Sequence, residues 1–338
     1  MRVVFAEGDA TARGRTVGRE LGDEIARSLA FYRGLADGVP LATVAEPYQR
    51  AAKRVLPEHL ATIEAMAAGA EADFWELFAV NAWEELDPRP AAVPAERCTT
   101  LVVSGPGYTL LGHNEQWLAG DAGSVALVVD APLAGPTVVS PTIAACLPAV
   151  GVNEYGAAQG IDSLTARDDG VGVPRVLVSR HSLAATDADD GLRRATVPGR
   201  AGGYGHVFAF PGGAAVRIET TARDAALLDG PGGHANHYLD ERLAAVGDEP
   251  SDGSRARYER LEHLVAARDA WTPADVMDVL RDHDSSPQAI CKHPDDGDPE
   301  SSATLFSLVC DVEAARMWVA PGPPCDTAYE EIELAGVV

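Results

Sequence analysis

The chain has 338 residues, 46% of them apolar, and a formal net charge of −24. Length and apolar content fit a globular protein with a large core and exclude a disordered or fibrous chain. The acidic balance, with Lys53 and Lys292 the only lysines, excludes nucleic acid and anionic lipid as partners on electrostatic grounds.

No apolar run reaches the roughly 18 residues of a membrane helix. The N-terminus MRVVFAEGDATARG turns acidic before an apolar signal-peptide core could form. A cytoplasmic protein without membrane association is expected. Its acidic, lysine-poor surface reads as solvated, and both salt adaptation and a GC-rich genome would produce it.

In chain order, the first ninety residues read as helices. Apolar and small residues recur at helical spacing in ARGRTVGRELGDEIARSLAFYRGLA and EPYQRAAKRVLPEHLATIEAMAAGAEA, with Pro57 suited to open a helix. DFWELFAVNAWEEL continues the pattern. DPRPAAVPAE then breaks it with Pro88, Pro90 and Pro94, predicting an exposed, extended linker that ends at Arg97–Cys98.

Beyond Cys98 the texture is that of strands. CTTLVV and TLLGHNE flank SGPGY, a hairpin signal, and SVALVVDA and PTVVSPTI flank another turn. PAVGVNEYGAAQGID predicts two short strands around Asn153–Gly156. VPRVLVSRHSLAATDADDGLRRA predicts one or two helices, and HVFAFPGGAAVRIET a hairpin around Pro211–Gly213. RARYERLEHLVAARDA and PADVMDVLRDH predict two more helices, and SATLFSLVCDVEAARMWVAP a closing hairpin turning near Asp311–Ala314. Blocks of helices and antiparallel strands in this order predict an α+β protein with helices covering stacked antiparallel sheets.

The five cysteines, Cys98, Cys146, Cys291, Cys310 and Cys325, are odd in number and lack C-x-x-C spacing. Neither a disulfide framework nor a zinc ribbon is expected, and no metal is assigned. The loop HPDDGDPESS could gather a cation through Asp295, Asp296 and Asp298, but it lacks the ligand alternation of a calcium loop and reads as solvated. His234 and His237 in HANH have no third ligand nearby and read as structural.

Cys98 stands apart by position. A cysteine at a strand mouth is ordinarily a small buried hydrophobe. Here a linker precedes it and a strand supports it, so its thiol could attack the Arg97 carbonyl and convert the amide to a thioester. Hydrolysis would free Cys98 as a new N-terminus. An α-amine has an unperturbed pKa of about 7.7–8.0, so it can serve its own sulfur as general base.

The stretch resembles the acyl-coenzyme A:isopenicillin N acyltransferase family of autoproteolytic N-terminal-nucleophile hydrolases. Cys98-Thr99 resembles its processing site, and Gly112-His113-Asn114 its Gly-x-Asn return strand. GVNEYGAAQGID, HANHYL and SATLFSLVCDVEAARMWVAPGPP resemble three further family segments. The likeness spans roughly residues 95–325. It implies a four-layer αββα sandwich, autocatalytic cleavage at Arg97–Cys98, and amide chemistry through a Cys98 thioester. The products would be a helical segment 1–97 and a catalytic part 98–338, associated within one structural domain.

The resemblance also implies site residues. Asn236 matches the family's side-chain oxyanion donor, a role worth about 3–4 kcal/mol in comparable sites; a turn-capping asparagine is the plain alternative. Two positions depart from the family. Gln116 falls where an Asp orients the new α-amine, and it brings no charge. Glu115 carries a carboxylate but is expected on the opposite face of its strand unless a bulge re-aims it. Asp162 replaces an Asn; ionised, it cannot donate to an oxyanion, but it could hold the α-ammonium or a substrate amine. Asn114 is a further candidate contact.

The expected function is an amidohydrolase or acyltransferase acting on a small N-acyl amino acid or peptide-like amide. Hydrolysis is favoured, because no second amine site and no phosphate-binding loop for coenzyme A is visible. No cofactor is expected; an acyl-CoA co-substrate belongs to the alternative of an isopenicillin N-type transferase. Two other readings stay open: a non-catalytic binding protein, and a conventional Cys–His enzyme using His113 or His237.

Overall fold

The computed structural model describes residues 1–86, 97–295 and 297–334. The proline-rich linker expected over residues 87–96, and Asp296 of the acidic loop, lie outside the described residues.

The chain opens on a strand, β1 (Arg2–Gly8), which corrects the expectation of an all-helical start. RVVFAEG buries Val4 and Ala6 and exposes Val3 and Phe5, the period-2 alternation of a half-buried strand. Helices α1 (Ala10–Glu20), α2 (Gly22–Ala36), α3 (Leu41–Val55), α4 (Pro57–Gly69), α5 (Phe74–Asn81) and α6 (Trp83–Leu86) follow. Pro57 occupies the first turn of α4, and Asp73 caps α5 by accepting from the Trp75 and Glu76 amides. Helices α1 and α4 approach to backbone contact at Gly18, where a Cβ would clash with the Met66 carbonyl oxygen.

Past Cys98 come β2 (Thr99–Gly105), β3 (Tyr108–Leu118), a 3₁₀ turn (Ala119–Ser124), β4 (Val125–Pro132), β5 (Val138–Ile143), β6 (Gly151–Asn153) and β7 (Ala158–Leu164). Helices α7 (Arg175–Ser182) and α8 (Ala188–Ala195) precede β8 (Gly203–Phe210), β9 (Ala214–Thr220), β10 (Ala225–Asp229) and β11 (Gly232–His234). Then come α9 (Glu241–Ala244), α10 (Asp252–Ala266) and α11 (Pro273–Leu280), the last with a Thr272–Asp275 capping box. The chain closes on β12 (Ser302–Asp311), β13 (Arg316–Ala320) and β14 (Glu330–Glu333). Strands β10, β11 and β14 are three to five residues long, too short for the sequence pattern to register.

Among the described residues the strands form two sheets, ordered β1-β4-β5-β6-β7-β8-β9-β10 and β11-β2-β3-β12-β13-β14. All pairs are antiparallel except β1 with β4. The inner faces meet in a core of Val102, Leu111, Leu308 and Met317 from the second sheet against Leu127, Val139, Ile161 and Val207 from the first. Helices α1, α2 and α4 cover the outer face of the first sheet at Val4, Ala126 and Val128; α8 covers it at Phe208 and Ile218. Helices α10 and α11 cover the second through Leu261, Val276 and Leu280, packed on Leu101, Val103 and Leu110. The architecture is thus the expected α+β, αββα sandwich. Among the described residues no helix is long and apolar enough to cross a membrane.

Candidate active site

The β2–β3 hairpin turns through two residues, with Gly105 paired to Tyr108, and its register sets Thr100 opposite His113 and Thr99 opposite Asn114. One step further, the same register carries Cys98 opposite Glu115. Residues opposite each other share a face. The Cys98 thiol donates to Glu115 Oε1 at 3.3 Å. Glu115 Oε2 lies 3.2 Å from His113 Nε2, and His113 Nδ1 lies 2.9 Å from Thr100 Oγ1. This relay occupies the inner face of the sandwich.

Gln116 and Asn114 point the other way. The Gln116 amide donates to the Ile290 carbonyl at 2.7 Å, and Asn114 donates to the Leu280 and Ile290 carbonyls. Both serve the helical side of the sheet. Gln116 meets Cys98 only through its backbone oxygen, 4.0 Å from the sulfur. Glu115 thus reaches the thiol by ordinary strand alternation, and the β12 irregularity between Thr304 and Phe306 is not needed to turn it.

Arg97, the residue before Cys98, is clamped in turn. Its backbone N–H donates to Asn236 Oδ1 at 3.0 Å. Its guanidinium lies 3.2 Å from Glu84 and 4.1 Å above the Trp117 ring. Asn236 is itself fixed: Arg257 donates to its Oδ1 at 2.6 Å and also reaches Thr99 Oγ1, while Asn236 Nδ2 donates to the Ser163 carbonyl at 3.2 Å. His237 turns away to Ser254.

Asp162, on β7, is fully buried, and neither carboxylate oxygen has a hydrogen-bond partner. Its Oδ2 stands 3.3 Å from His234 Nδ1 without hydrogen-bond alignment, and His234 Nε2 stands 3.0 Å from Glu219. Burial alone would push the His234 imidazole down, but the two carboxylates overcome it and raise its pKa to about 9. Gly205 makes room for this ring; a Cβ there would collide with His234 Cε1. Burial pushes the Cys98 thiol well above its ordinary pKa, and the charges of Glu115 and Asp162 push it further. A thiol shifted in this way could act as a nucleophile only with a proton acceptor beside it, and Glu115 stands within hydrogen-bond reach.

Beside Glu115 opens a pocket lined chiefly by apolar side chains, among them Val80, Trp83, Trp117, Ile143, Ile161 and Phe306, with Glu84 and Tyr204 as polar members. The sequence reading missed His234, Glu219, Arg257, Glu84 and Trp117 as members of the site. The hairpin turn at Pro106–Gly107 carried the signal for Glu115: counting outward from a two-residue turn reaches the Cys98–Glu115 pair.

Family membership places the chain in a class of enzymes that act by amide hydrolysis or acyl transfer. The chain belongs to the acyl-coenzyme A:6-aminopenicillanic acid acyl-transferase family, whose model matches residues 103–325. It is 25% identical over 333 residues to the acyl-coenzyme A:6-aminopenicillanic-acid-acyltransferase 40 kDa form of Emericella nidulans, covering 95% of this chain and 92% of that one. Among solved structures it is similar to a single-residue variant of conjugated bile acid hydrolase from Clostridium perfringens, with a TM-score of 0.49, 13% identity, and coverage of 71% of this chain and 93% of that one. It is also similar to penicillin V acylase from Agrobacterium tumefaciens, with a TM-score of 0.47, 14% identity, and coverage of 70% and 86%.

Proposed function

We propose that this chain cleaves itself at Arg97–Cys98 and then acts as a cysteine amidohydrolase on small N-acyl amino acids or peptide-like amides. One observation carries the reading: Cys98, with its thiol on the Glu115 carboxylate at 3.3 Å, follows an Arg97 whose backbone N–H is held by Asn236, beside an apolar pocket. Glu115 takes the thiol proton as sulfur attacks the Arg97 carbonyl. The C–S bond forms, the C–N bond breaks, and the proton passes to the departing Cys98 nitrogen. Water then hydrolyses the thioester, leaving an Arg97 carboxylate and a free Cys98 α-amine. Chains 1–97 and 98–338 stay associated through the shared core.

In turnover the α-amine replaces Glu115 as base, since its ordinary pKa lies near neutrality. Asp162, buried with unsatisfied acceptors, is suited to pair with its ammonium form. The apolar pocket supports an apolar acyl group. Asn236 supports the tetrahedral oxyanion, because its amide carries a second hydrogen beyond the one given to Ser163. Asn114 and Gln116 hold the back of β3 instead of touching substrate.

A transferase using an acyl-CoA co-substrate is the second reading, and membership of the acyltransferase family favours it. The pocket lining, with the carboxylates of Glu84 and Glu115, opposes it by repelling the coenzyme's phosphates. Intact mass of wild-type protein and of Cys98→Ala tests cleavage. A panel of N-acyl amino acids, with and without an acyl-CoA, tests the reaction: acid release without acyl-CoA supports the hydrolase, and amide formation only with acyl-CoA overturns it.

A further inference from the structure

Four metal-ligating side chains converge outside the site around Cys98. His283 lies in the turn after α11, Cys291 and His293 in the segment leading into β12, and Cys325 in the turn between β13 and β14. Their donor atoms all lie within 4.8 Å of one another. His283 Nε2 and His293 Nε2 are 3.1 Å apart, His293 Nε2 and Cys325 Sγ 3.2 Å, and the Cys291 and Cys325 sulfurs 3.6 Å. A tetrahedral zinc ion with Zn–S of ~2.3 Å and Zn–N of ~2.0–2.1 Å has ligand edges of roughly 3.3 Å between nitrogens, 3.5 Å between nitrogen and sulfur, and 3.8 Å between sulfurs. The three separations thus fall within about 0.3 Å of a tetrahedron's edges.

The surroundings support the same assignment. His293 turns its other nitrogen, Nδ1, toward Asp326 Oδ2 at 3.6 Å, the carboxylate that usually stands behind a metal-bound imidazole. The three segments are fixed by their own bonds: Cys291 N–H to the Asp282 carbonyl at 3.0 Å, Lys292 N–H to Thr304 Oγ1 at 3.0 Å, and Arg281 Nε to the Pro324 carbonyl at 3.1 Å. Cys291 is buried while His293 and Cys325 are exposed, so an ion has a path in from solvent. The sequence expectation of no metal rested on the missing C-x-x-C spacing. The donors come instead from three turns that the β12–β13–β14 meander brings together.

We propose that His283, Cys291, His293 and Cys325 bind one divalent transition ion, zinc by the donor set, as a structural site. Both thiols lose their protons to solvent on binding. Two thiolates and two neutral imidazoles then neutralise the ion and fill all four positions. The site ties down the residue beside Ile290, whose carbonyl anchors Asn114 and Gln116 behind the strand that carries Glu115.

The test is elemental analysis of the full chain, purified from zinc-supplemented medium under reducing conditions, with cobalt(II) reconstitution as a second readout. One zinc per chain is expected, together with the ligand-field and thiolate charge-transfer bands of tetrahedral cobalt. Cys325→Ser and His293→Gln change exposed positions, and each should lose at least about tenfold in metal affinity. Chelation should lower the melting temperature of the wild type and leave that of the double variant unchanged. Three results would overturn the proposal: substoichiometric zinc with no cobalt spectrum; full metal content in the double variant; or a Cys291–Cys325 disulfide that persists in reductant and excludes zinc.

Discussion

The Cys98 thiol donates to Glu115 Oε1 across 3.3 Å, so under the proposed mechanism the sulfur has a proton acceptor before any α-amine is free. Glu115→Gln should therefore slow self-cleavage by about 10²–10⁴-fold, the usual contribution of a positioned base. Gln116→Ala, which loses only the bond to Ile290, should slow it far less. A mass-spectrometric time course on freshly made protein reads both, and the reverse order would move the role to Gln116.

Cys98→Ala should yield one intact, inactive chain. Cys98→Ser should cleave slowly, since a hydroxyl can make the same shift as a poorer nucleophile. Denaturing mass spectrometry separates the outcomes, and an uncleaved wild type with full amidase activity would sink the N-terminal-nucleophile mechanism.

Asn236 accepts from the Arg97 N–H and from Arg257, so it spans both stages of the proposed chemistry. Asn236→Ala should lower turnover about 10²–10³-fold in material that has matured. Circular dichroism checks the fold. Normal turnover in a folded, mature variant would leave Asn236 a purely structural residue.

His234 makes stability pH-dependent in a defined direction. Its folded pKa is raised from 6.5 to about 9. The stabilisation is therefore fully present below pH 6.5 and lost as pH rises through 9. Its full size is at most about 3 kcal/mol. The wild-type melting temperature should fall across that window, and His234→Gln should flatten the decline. Equal slopes would show that the ring is already neutral.

The surface charge of −24 predicts that the melting temperature climbs between low and molar salt, as repulsion among carboxylates is screened. A flat or falling curve would assign the composition to genome bias alone.

Most of the fold was legible because long elements announce themselves by period. The helical runs of the first ninety residues and the strands around Asn153 and Pro211 are there, but the breaks that part α1 from α2 at Leu21 and α5 from α6 at Ala82 have no proline or glycine pair to mark them. What escaped were β1, overshadowed by the helical run after it, and β10, β11 and β14, too short to show alternation. The site divided along the same line. Cys98, Arg97 and Asn236, each singled out by a local motif, lie close together. The resemblance puts Gln116 in the amine-orienting position, whereas the register counted from Pro106–Gly107 turns Glu115 toward Cys98 and Gln116 toward Ile290. Partners such as Arg257 on Asn236, or Glu219 on His234, meet only through tertiary structure and leave no local trace.

Strand β1 pairs in parallel with β4 along residues 2–8, and a parallel pair cannot be closed by a tight turn. β1 lies at the edge of its sheet, so in an uncleaved chain it docks along β4 within one molecule. Scission at Arg97 would then change the order of the reaction: what assembled unimolecularly could re-form only by collision, so dilution would become a denaturant. Substitutions at the β1–β4 pairing, which joins residues 2–8 to residues 126–132, would then surface as activity that decays on dilution after cleavage.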